Sequence, residues 1–193
     1  MARERGGIQQ LPTAGTTSTR GRDGIHELLG IETSRATADT LTTLRDGLAH
    51  GVGISGPSAR RATHAAAQAP AFAGAIRTHH QARDILGNPA PTVCDSPRSL
   101  LMCVYNPGRA LCHRLDATDS PRRDRCRPSC ANIARTDHHA AGLLAHSEAL
   151  EKHSAPEALR GPLADRLARR AGQLRELADR HEHDRIHRHE RTG

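Results

Sequence analysis

Leu41, Leu44 and Leu48 recur at the three- and four-residue spacing of one helix face, with Gly51 placed as a stop. That pattern predicts a helix from Thr33 or Ser34 to Ala49. Ahead of it, residues 1–22 hold Gly, Thr, Ser and Arg without an apolar period and read as a disordered N-terminus. Gly53 to Gly56 breaks the chain, and a short Ala-rich helix follows between Pro57 and Pro70. Thr78 and Gln81 can cap a further helix that Gly87 ends, after which Asn88-Pro89 and Pro91 enforce extended chain. Residues 23–92 thus read as a small helical region.

Between Val93 and Cys130 the periodicity disappears. All five cysteines lie here, among prolines 89, 91, 97, 107, 121 and 128. The apolar runs Leu100 to Tyr105 and Ala110-Leu111 are too short to choose between strand and turn. Residues 93–130 are expected to form a loop-rich knot and not a layered sheet. Helical spacing then returns. Ile133, Ala140, Leu144 and Leu150 mark one face of a helix opening at Ala131. Leu159, Leu163, Leu167, Ala171, Leu174 and Ala178 form a second stripe. Ser154 and Glu157 offer an early start by a capping box, but Gly161-Pro162 favours a main helix from Pro162 to about His183. Residues 131–185 are expected to fold back as a helical hairpin, with 186–193 a disordered tail. The expected class is mainly α: small helices flanking a metal-bound cysteine knot, closed by that hairpin.

Composition sharpens this picture at two points. Phe72 and Tyr105 are the only aromatic residues, and there is no Trp. Leu, Ile, Val and Ala must build the core, and such a core calls for a metal, an oligomer or a partner. Lys152 is the one lysine among 28 basic residues, and the formal charge is +7. An arginine excess of this size favours phosphate-bearing partners. No apolar leader and no run of membrane-spanning length is visible, which points to a cytoplasmic protein with no membrane contact. In that reducing compartment clustered cysteines bind metal more often than they form disulfides.

Cys103 and Cys112 are separated by eight residues, and Cys126 and Cys130 by three. Two such pairs can supply four soft ligands to a structural zinc. Arg122, Arg123, Arg125 and Arg127 share the loop of the second pair, offset thiolate charge, and are candidate nucleic-acid contacts. His113, His138 or His139 can replace one ligand, Cys94 is left over as a small core residue, and unrelated buried thiols are the plain alternative. His181, His183, His187 and His189 read as a solvated helix end, and Asp137 as the partner of a nearby arginine. No phosphate-binding Gly-rich loop, His-Glu-x-x-His or Gly-x-Ser-x-Gly motif is present, so the chain is expected not to be an enzyme.

The run "CVYNPGRALCHR…DRCRPSCANIARTDHHAAGLLAHSEALEKHS" carries a Cys-x8-Cys-His motif and a Cys-x3-Cys-Ala-Asn-Ile-Ala-Arg-Thr-Asp-x-His motif. In these, from about Thr78 to Arg188, the chain resembles the C-terminal segment of actinobacterial proteins that accompany site-specific integrases on mobile elements. The resemblance implies a link to DNA recombination and a truncated copy of longer relatives. It does not imply an active tyrosine recombinase, because Tyr105, the one tyrosine, precedes the helical tail. The expected function is a zinc-stabilised accessory or DNA-binding module. The alternative is an interaction module docking a recombinase through its last helices, and a metal enzyme using His138 or His139 ranks third. A DNA binder should show a contiguous arginine face, and a docking module an exposed apolar stripe on the last helix. Oligomeric state is left open.

Overall fold

The computed structural model describes residues 17–69, 92–112, 121, 126–155 and 161–187. The expected helix between Thr78 and Gly87 lies outside them. Among the described residues stand four α-helices, α1 (Thr17–Ala49), α2 (Ala59–Gln68), α3 (Asp137–Ser154) and α4 (Pro162–Asp184). Four strands accompany them: β1 (Ile54–Ser55), β2 (Val93–Ser96), β3 (Leu101–Val104) and β4 (Ile133–Thr136). The strands form one antiparallel sheet in the order β1-β4-β3-β2.

That sheet corrects the mainly-α expectation of a loop-rich metal-bound cysteine knot: the fold is mixed α/β. Leu101–Val104 is a strand, and β2 pairs with it through Val93↔Val104 and Cys94↔Cys103. Ile133, read as a helical residue, is in β4, so no helix opens at Ala131 beside the thiols; α3 begins six positions later, at Asp137. The physical reason is length. Strands of two to four residues show no readable alternation when both faces are buried, as the wholly buried Leu101–Val104 is.

Register sorts the side chains onto two faces, because alternate residues of a strand point opposite ways. Val93, Met102, Val104, Ala134 and Ile54 share the first face. They form one core with Leu41, Leu44 and Leu48 of α1 and Ala59, Ala62, Ala65 and Ala66 of α2. The alanines let α2 approach closely, and the three leucines supply the bulk that absent aromatics would otherwise give. The second face carries Cys94, Cys103, Leu101, Ile133, Arg135 and Ser55.

Helix α1 starts at Thr17, well before the expected Thr33, so part of the expected disordered N-terminus is helical. Helices α3 and α4 form the expected hairpin, with Leu143 packed on Leu174 and Ala178 and the Ser147 hydroxyl donating to the Ala171 carbonyl at 2.9 Å. Leu100, in the β2–β3 turn, packs against the same cluster. Gly161, at φ 86, makes the break before α4 that its sequence position predicts. Within the expected tail, Ile186 bridges Ile54, its N–H donating at 2.8 Å. Gly56 has φ 98, and a Cβ there would lie 2.9 Å from the Ile133 carbonyl oxygen, so only glycine lets β1 turn this close to β4. No described helix is long and apolar enough to cross a membrane.

Candidate functional site

Ser55 and Arg135 are direct cross-strand partners, so their side chains emerge together on the second sheet face. Above them lies a cavity of about 640 Å³, walled by the start of α2, the end of α4 and the loop around Arg109 and Pro128. Its lining includes Arg60, Arg61, Arg109, Arg135 and Arg180 against one carboxylate, Asp184. Arg135 is 7% exposed, and its Nε is buried without an acceptor among the described residues. Burial, followed by the positive charge of Arg180, pulls its pKa down from the usual guanidinium value. Arg61 is pinned by Nη2 donating to Ser58 Oγ (2.9 Å), the Ala131 carbonyl (3.0 Å) and Asn132 Oδ1 (3.1 Å). Its Nε is likewise buried with no acceptor.

A hydrogen-bonded chain closes one wall. His181 Nε2 lies 2.8 Å from Asp137 Oδ1, and His181 Nδ1 lies 2.7 Å from Ser55 Oγ. An ionised carboxylate only accepts, so Nε2 carries a proton and donates to it. Burial works to raise the Asp137 pKa. The Gly53 N–H bond at 2.8 Å, the His181 bond and the charges of His181 and Arg185 outweigh it and hold the carboxyl below its usual value. Arg185 approaches at 3.6 Å, the arginine partner expected for Asp137. A serine, a base and an orienting acid in hydrogen-bond order is an arrangement able to move a proton. Here it also ties the end of α4 to β1 and the start of α3.

The histidine expected to be solvated, His181, is therefore 2% exposed, whereas His183 is exposed. His189 and His113 lie outside the described residues. A second pair, His139 and Asp95, belongs to the first sheet face. His139 Nδ1 accepts the Thr136 N–H at 3.0 Å as the return half of a helix cap, and Nε2 donates to Asp95 Oδ1 at 2.8 Å. That bond from His139, with lesser charge effects and against burial, holds Asp95 below its usual pKa. His139 has no nitrogen left for a metal. His138 is exposed.

None of the five cysteines is in a disulfide. Cys126 and Cys130 pack with Leu101 and Ile133, and Cys103 and Cys112 with Tyr105. Burial, then the thiols of Cys126, Cys94, Cys130 and Cys112, pushes Cys103 up to about 12. Among the described residues no group of three or more His, Cys, Asp or Glu is placed to hold a metal ion. Of the four loop arginines, Arg122, Arg123 and Arg125 lie outside the described residues. Arg127 is exposed and precedes Pro128 and Ser129 of the cavity wall.

Sequence reading missed the arginine cavity because its parts are scattered from position 55 to 186. One signal was present: the run from Ala131 to His139, quoted for its wording, supplies Arg135, Asp137 and His139. No protein-family model, curated protein or solved structure matches the chain.

Proposed function

We propose that this chain is a DNA-binding accessory module that grips the phosphate backbone through the arginine-lined cavity and its rim. The observation that supports this is the five-to-one excess of arginine over carboxylate in that wall, with the buried Arg135 Nε lacking an acceptor among the described residues. Structural arginines are normally paired, since a buried cation without an anion is costly. Of the cavity arginines Arg180 is ion-paired, at the exposed Glu176, and phosphate is the anion that arginine forks fit best. The link to site-specific recombination rests on the motif resemblance. Zinc at the four cysteines has no part in the proposal. The docking alternative has less support, because Ala171, Leu174 and Ala178 of the last helix are buried against α3 and of that stripe's described residues only Leu163 is largely exposed.

The test is fluorescence anisotropy of a labelled duplex of arbitrary sequence at low salt. Wild type should bind. A triple rim variant, Arg60→Gln, Arg109→Gln and Arg180→Gln, should bind at least ten-fold more weakly with its circular dichroism unchanged. Equal binding by that variant would remove the cavity rim from the interface.

A further inference from the structure

We propose that the floor of this cavity is a receptor for a phosphate monoester, the group found at a phosphorylated DNA end or on a free nucleotide. The inference rests on the phosphate-binding reading above and narrows it. Arg135 is more than nine-tenths buried, emerges from the sheet beside Ser55 and lines the cavity, yet its Nε has no acceptor among the described residues. Arg61, held by three bonds to fixed acceptors, brings a second guanidinium whose orientation is set before any ligand arrives. Arg180 adds a third charge near enough to disfavour the charged form of Arg135, a repulsion that an incoming anion reverses. Its ion pair with Glu176, at 2.8 Å, is between two exposed side chains and yields readily to a stronger anion.

The shape separates a monoester from a diester. A backbone diester carries chain on both sides and one negative charge, so it suits an open rim. A monoester carries one substituent and up to two charges, so it can enter a walled cavity end-on and match more than one arginine. The volume of about 640 Å³ admits a terminal nucleotide and falls in the range of ligand sites generally, ~300–1,000 Å³. Ser55 Oγ is engaged with His181 at 2.7 Å; its neighbour Arg135 does the binding.

The experiment uses the full chain and one duplex made with 5′-hydroxyl or 5′-phosphorylated ends, with inorganic phosphate and adenosine monophosphate as competitors. The phosphorylated end should bind at least ten-fold more tightly than the hydroxyl end. Arg135→Met should abolish that difference. Inorganic phosphate should compete only for the end-specific component. Measurable binding of adenosine monophosphate alone supports the same site and makes a free nucleotide a source of the group. Equal binding of both duplexes, with neither competitor bound, overturns the receptor and leaves the backbone-binding reading standing. No binding of either duplex, while adenosine monophosphate binds and is lost in Arg135→Met, supports the receptor and overturns the DNA reading.

Discussion

The two faces of the sheet each hold a buried histidine bonded through Nε2 to an aspartate at 2.8 Å, yet they differ in what the other nitrogen does. On the first face His139 accepts a backbone N–H, and Met102 and Val104 pack among leucines and alanines. Every polar group of that pair serves the fold. On the second face His181 is bonded to a serine hydroxyl that borders a cavity, and the Nε of the neighbouring Arg135 is buried without an acceptor among the described residues. The first face borders a smaller cavity, of about 350 Å³, but both ring nitrogens of its histidine are bonded within the fold. The second carries an electrostatic deficit that folding alone does not explain, and such deficits mark places where a ligand completes the structure.

Replacing His139 by Ala should give the largest effect. It opens a cavity at a 2%-exposed position and strands the Thr136 N–H. The loss should be ~3 kcal/mol by urea denaturation. DNA binding by the folded fraction should not change; if it falls, the faces are not functionally separate.

Arg135→Met should move stability the other way. Removing a buried cation and filling its volume with an apolar chain should stabilise by ~1–2 kcal/mol in the same assay. Destabilisation of that size would mean that the guanidinium has a structural partner, and the contrast between the faces would fail.

Acid is the third lever. Asp95 and Asp137 both have folded pKa values below the ordinary 3.8. A depressed carboxyl contributes stability that is present above its unfolded pKa and is lost as pH falls through the folded one. On this account stability declines below about pH 4. Asp95→Asn and Asp137→Asn should each flatten part of that decline in thermal melts between pH 2.5 and 5. Both carboxylates are over a third exposed, so each share is small. A decline as steep in the double variant as in wild type would refute the assignment.

The smallest effect separates the thiols. Cys103 is 6% exposed and holds its proton, whereas Cys126 is half-buried. Iodoacetamide at pH 8 should label Cys126 well before Cys103 in the native protein, and all five cysteines once urea is added. Early labelling of Cys103 would show that the second face opens in solution.

Much of the helical frame was legible. Leu41, Leu44 and Leu48 announced the buried face of α1, and Gly161-Pro162 marked the start of α4, because period and punctuation act locally. The sheet was not legible. Its strands span two to four residues, and their alternation is hidden where both sides are buried, as at Leu101 to Val104. The site was half legible. The arginine excess pointed to phosphate, but attention fell on the loop at Arg122 to Arg127. The telling arginine is Arg135, which only the register with Ser55 sets into a cavity. His181 was misread because its partners, Ser55 and Asp137, are 126 and 44 residues away.

The salt dependence of duplex binding tests the central claim most directly, because its slope counts phosphates engaged. Each contact contributes a slope of ~0.9 in log K against log salt for B-form DNA. Wild type should show a steep negative slope, and the Arg60, Arg109 and Arg180 to Gln variant should lose ~2–3 units of it. A slope unchanged by those substitutions, or binding indifferent to salt, would contradict the account.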